Sequence, residues 1–112
     1  MRIDKRIKND VTILDLEGKI TIGTGDVALR EAVQQTLAEG STKLLIHLEK
    51  VSTIDSSGVG ELVSAFTTVT NRGGKLKLVN LPPKVNDILQ ITQLITVFET
   101  FEDEQEAIAS FG

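Results

Sequence analysis

Between an apolar run and an apolar helical pattern, the stretch T-I-D-S-S-G-V-G-E-L, Thr53 to Leu62, gathers one carboxylate, two adjacent hydroxyls and two glycines. Three chemistries suit that group: capping a helix, attacking a substrate, or receiving a group from another protein. Capping needs only one side-chain oxygen facing the free amides of a first helical turn. Asp55, Ser56 and Ser57 are three consecutive candidates, so a hydroxyl is left over. Nucleophilic attack lacks its setting. Ile54 stands two residues before Ser56, so no G-x-S-x-G elbow surrounds it, and the chain offers one histidine as a base. Gly58 and Gly60 remove side chains from the first turn, which would let another protein approach closely. A phosphate placed there would meet exposed amides and the positive helix end. The local chemistry favours a modification site over a catalytic one.

Other constellations are weaker. G-T-G-D-V-A, Gly23 to Ala28, follows a strand-like segment and opens a helix in the G-x-G-x-x-A form of a dinucleotide fingerprint, with Glu49 at the end of the next strand. The chain is too short for a second mononucleotide half, and Asp26 would set a negative charge beside a pyrophosphate. A turn with Thr24 or Asp26 capping the helix is the simpler reading. His47 is the only histidine, and one mid-strand imidazole offers too few partners for a metal or a triad. Its neighbours Ile46 and Leu48 should point to the opposite sheet face. Glu102, Asp103, Glu104 and Glu106 suit a solvated helix start, where negative charge is favoured.

The elements that position these residues follow from periodicity. Ile3 to Lys8 and Val11 to Glu17 read as two strands, joined by a tight turn at Asn9-Asp10. Gly18 and Lys19 interrupt the second. Asp26 to Glu39 is helical, with Leu29, Ala32, Val33, Thr36 and Leu37 on one face and Gly40 as its stop. Lys43 to Leu48 is a buried-type strand. Val59, Leu62, Val63, Phe66 and Val69 give a second helix, ending at Asn71 to Gly74. A strand starts at Leu76, Pro82-Pro83 opens a third helix, an edge strand falls around Val97, and Glu102 to Phe111 is a last short helix. Strands alternating with helices imply right-handed crossovers and a largely parallel sheet.

Composition sets the outer bounds. The 112 residues fit one α/β domain, residues 1–112, with 40% apolar and 25% charged residues. Cysteine is absent, so disulfides and thiolate metal sites are excluded. No segment has the apolar length of a membrane span. A net charge of -4, no Trp or Tyr and four Phe argue against nucleic-acid binding.

The run L-L-I-H-L-E-K-V-S-T-I-D-S-S-G-V-G-E-L, with L-E-G-K-I, G-G-K-L-K-L-V-N and L-Q-I-T-Q-L, resembles the STAS domain family, more narrowly bacterial anti-sigma factor antagonists. The resemblance covers essentially the whole chain. It implies a four- to five-stranded mixed β-sheet with about four α-helices mainly on one face. It also implies a phosphoacceptor at the first serine after the aspartate, here Ser56, with Ser57 as second choice. Ser57 then takes the capping role. Asp55, Ser57, Gly58, Gly60 and Glu61, with Thr21 and Thr24 of the loop before the first helix, form the implied partner surface.

In the family, the unphosphorylated form binds an anti-sigma factor that is also a serine kinase. Phosphorylation breaks the complex, and a serine phosphatase resets it. The resemblance implies a cytoplasmic regulator, monomer or weak dimer, with no enzyme activity, cofactor, metal, membrane or direct nucleic-acid contact. The alternatives are a STAS scaffold or accessory subunit of a signalling or lipid-transport complex, and a small nucleotide-binding protein using Gly23 to Ala28.

Overall fold

The computed structural model describes residues 1–112. The chain opens with an antiparallel hairpin of β1 (Arg2–Lys8) and β2 (Val11–Ile20). Asn9 and Asp10 both take positive φ, 52° and 68°, the geometry of a two-residue hairpin turn whose twist matches its strands. There follow α1 (Gly25–Ala38), β3 (Lys43–Ile54), α2 (Ser56–Asn71), β4 (Lys75–Val79) and α3 (Pro83–Ile91). A 3-10 turn at Leu94–Thr96, the two-residue strand β5 (Thr100–Phe101) and α4 (Glu104–Ala109) complete the chain.

The five strands lie in sequence order, with β1 antiparallel and β2 to β5 parallel. The mixed sheet and its four helices match the expected fold. Leu14, Leu16, Ile46, Leu48 and Leu78 meet Leu29 and Val33 of α1, Leu62 and Val69 of α2, and Val85 and Leu89 of α3 in one core. Alternate strand residues Val11, Ile13, Leu45 and Val79 face the other way, where Ala107, Ile108 and Phe111 of the C-terminal segment cover them. Three helices thus share one face and α4 sits alone on the other. This is the arrangement that repeated right-handed crossovers between neighbouring parallel strands produce.

Two strands outrun their expected ends. β2 continues through Gly18 and Lys19 to Ile20, with register shifts around Gly18, whose φ of 116° a side chain would resist. β3 continues from Leu48 to Ile54, because Glu49 and Lys50 are only the exposed middle of a strand that buries Val51 and Ile54 again. Gly18 pairs with Val51 and Ile20 with Ile54. The extension carries the ends of β2 and β3 side by side to the starts of α1 and α2.

Candidate functional site

The D-S-S-G segment sits at the carboxyl end of β3, where open α/β sheets present functional loops. Asp55 is extended and serves as N-cap of α2. One of its carboxylate oxygens accepts the Gly58 amide at 2.9 Å, and the other accepts the Ile22 amide at 3.0 Å. The amides of Gly58 and then Ile22 hold its carboxyl below the ordinary carboxylate range. The cap is therefore Asp55 and not Ser57. The reason is positional: helical geometry begins at Ser56, so Asp55 alone has the extended backbone that aims a side chain back at the first turn.

Both serines are thereby released from capping. Ser56 is exposed and Ser57 half-buried, so the two adjacent hydroxyls differ in access to a visiting enzyme. The glycines also divide. A Cβ on Gly58 would lie 2.1 Å from the Ile20 carbonyl oxygen and 2.8 Å from Ile54 Cγ1. Gly58 is thus used inside the fold, to let α2 start against the end of β2, and does not make room for another protein. Gly60 is exposed, with nothing within 4 Å of such a Cβ.

Glu61 is also turned inward. Its side chain is 7% exposed, and its carboxylate accepts from Arg30 Nε at 3.0 Å and lies 2.9 Å from Arg30 Nη2. It ties α2 to α1 and offers a partner little surface. Thr21 is half-buried and Thr24 exposed. Neither of the anticipated caps of α1 takes the usual form. The Thr24 side chain makes no capping bond, and Asp26 accepts the amide of its neighbour Val27 at 2.8 Å. Gly25 is filled by the protein itself, since a Cβ there would lie 1.9 Å from the Lys19 carbonyl oxygen. The close approach that a dinucleotide fingerprint reserves for pyrophosphate is taken here by β2.

His47 has more company than the sequence suggested. Possible ligand atoms of Asp15, His47 and Glu104 lie within 4.8 Å of one another, on β2, β3 and α4. Arg6 already occupies both carboxylates. Its Nε and Nη2 donate to Asp15 at 2.6 and 2.9 Å, and its Nη1 and Nη2 donate to Glu104. The guanidinium and Lys8 Nζ, 3.7 Å from Glu104, together balance the two carboxylates, so the group is an ionic clamp that fastens α4 to the hairpin. Arg6, first among its neighbours, holds the Glu104 carboxyl below the ordinary range.

Sequence reasoning missed Ile22, Arg30 and Arg6. Ile22 carried one local signal, a large apolar residue in a loop. Glu61 lies 31 residues from Arg30 and Glu104 lies 98 residues from Arg6, beyond any local pattern.

A model of the STAS domain matches residues 2–107. The anti-sigma-B factor antagonist of Bacillus subtilis (strain 168) is 36% identical over 95 residues, covering 85% of this chain and 84% of that protein. The crystal structure of a candidate anti-sigma factor antagonist from Thermotoga maritima superposes with a TM-score of 0.89 at 25% identity, over 97% of this chain and 93% of that one. The Bacillus cell fate determinant SpoIIAA in its phosphorylated form superposes with a TM-score of 0.75 at 21% identity, over 97% and 98%. With a match spanning nearly the whole sequence, this chain belongs to the STAS domain family.

Proposed function

We propose that this protein is an anti-sigma factor antagonist whose unphosphorylated form binds an anti-sigma factor that is also a serine kinase, and that a phosphate on Ser56 breaks that complex. The observation that carries the reading is the division of labour at the start of α2. Asp55 caps the helix, which leaves the exposed Ser56 hydroxyl without a structural task. Ser57, half-buried, is the less accessible acceptor. The names of the relatives support the general role, and SpoIIAA, a protein of this fold, has structures in both unphosphorylated and phosphorylated forms.

The switch is electrostatic. Phosphoserine adds about -1.5 to -2 charges at neutral pH. Asp55, the residue before it, is held ionised by two amides. A partner surface shaped for a hydroxyl beside one carboxylate must then desolvate a phosphate beside it. Loss of a well-placed interface contact costs a few kcal/mol, and about 1.4 kcal/mol is tenfold in affinity, so a roughly hundredfold loss follows. The kinase brings ATP, magnesium and the base, and this chain supplies the hydroxyl. Asp55, Ser57, Gly60, Thr21 and Thr24 surround the acceptor as partner surface, while Gly58 and Glu61 hold its scaffold. A serine phosphatase restores the binding form in the bacterial cytoplasm. Binding of the two Ser56 variants to the cognate kinase tests this. Ser56→Ala should bind persistently and Ser56→Asp should bind at least tenfold more weakly. Equal affinity of the two would sink the mechanism.

A further inference from the structure

Ile22 is 72% exposed, one of five large apolar side chains that the fold leaves in solvent. Its position is set by both polar groups of the peptide that joins it to Thr21. The Ile22 amide is the donor that Asp55 accepts at 3.0 Å, and the carbonyl of Thr21 accepts the Asp26 amide at 3.2 Å. Gly23 follows with a φ of 87°, turning the chain toward α1. These contacts tie the loop backbone at Ile22 to the start of α2. One carboxylate fixes two things at once, the start of α2 that carries Ser56 and the isoleucine beside it.

The other exposed apolar residues lack this placement. Met1 precedes the edge strand β1, Ile7 lies within it, and Val97 lies beyond the 3-10 turn. Ile91, 82% exposed, ends α3. Helices that cross between parallel strands run back along the sheet, so the end of α3 lies at the opposite end of the sheet from the start of α2. Ile22 alone is continuous with the candidate phosphoacceptor.

We infer that Ile22 is the apolar anchor of the partner interface, seated in a hydrophobic pocket of the anti-sigma factor kinase beside the subsite that receives Ser56. This rests on the function proposed above. It assigns the chemistry of the partner: an apolar socket next to a site that accepts a serine hydroxyl and rejects its phosphate. Interfaces take most of their affinity from a few such buried anchors ringed by polar contacts, and Asp55, Ser57 and Thr24 supply the polar ring here. Burying one isoleucine is worth roughly one to two powers of ten in affinity.

The test compares wild type, Ile22→Ala, Ile22→Leu and Ile91→Ala for binding to the cognate kinase and for KM and kcat of phosphorylation at Ser56. Ile22→Ala should weaken binding about tenfold or more and raise KM with kcat kept, Ile22→Leu should retain most of the affinity, and Ile91→Ala should bind as wild type. Ile22→Ala binding within twofold of wild type, or Ile91→Ala weakening binding as much, would overturn the inference while leaving the switch intact. Wild type that neither binds the kinase nor takes phosphate would overturn both. Superimposable circular dichroism and melting curves establish that the variants are folded.

Discussion

The two glycines of the first turn of α2 make opposite demands, and alanine at each measures them. At Gly58 the added Cβ meets the Ile20 carbonyl oxygen at 2.1 Å, Ile54 Cγ1 at 2.8 Å and Ile20 Cγ2 at 2.9 Å. The nearest of these is the backbone of Ile20, which is itself fully buried, so α2 must shift as a unit away from the strand. Forcing atoms into a packed site of this kind costs about 3 kcal/mol. Alanine recovers about 1 kcal/mol of helix propensity over glycine, leaving a net loss of about 2 kcal/mol, or a melting temperature roughly 8 °C lower for a domain near this size. At Gly60 nothing lies within 4 Å, so only the propensity acts. Gly60→Ala should gain about 0.5–1 kcal/mol and raise the melting temperature by roughly 2–4 °C. Paired thermal and urea denaturation of the two variants reads both signs. A Gly58→Ala protein as stable as wild type would refute the claim that this glycine exists to seat α2 against β2. A Gly60→Ala protein destabilised by as much as Gly58→Ala would refute the claim that position 60 faces open solvent.

Other consequences concern the ionic contacts. Glu104 has its carboxyl lowered in the folded state, mainly by Arg6, so the folded chain binds fewer protons than the unfolded one there. That stability is present above the ordinary glutamate value, about 4.3, and is lost as pH falls through the lower folded value. Glu104→Gln should lower the melting temperature at neutral pH and flatten its fall between pH 5 and the acid limit, each by about this one step; an unchanged pH profile would contradict the clamp. Arg30→Ala should cost about 1–3 kcal/mol by chemical denaturation, because the Glu61 side chain is 7% exposed and would be left buried without its partner. The same loss from Arg30→Lys would show that charge alone is insufficient and that the paired guanidinium donors matter.

Local chemistry made much of the fold legible. The Asn9-Asp10 turn, the 3.6-residue stripes of α1 and α2, and the alternation of strands with helices all act over short spans, and each appears where the sequence places it. Strand ends were less legible, because the exposed pair Glu49-Lys50 interrupts an apolar run that resumes at Val51. At the site, the sequence singled out the Thr53–Leu62 segment, and it left open how Asp55 and the two serines divide the work. Backbone conformation decides that: Asp55 is extended and Ser57 already helical. Gly58 looked like room for a visitor because Ile20, which fills the space, is 38 positions earlier in the chain and arrives only when β2 and β3 pair. Arg30–Glu61 and Arg6–Glu104 are likewise products of the sheet order, which no window of sequence contains.

The most direct measurement takes the chain through one round of phosphorylation by its cognate kinase, maps the phosphate by mass spectrometry, and titrates the purified product against the same kinase. The account predicts phosphate on Ser56 and a roughly hundredfold loss of affinity relative to the unmodified chain. Phosphate confined to other residues, or a Ser56-phosphorylated chain that binds as tightly as before, would contradict it.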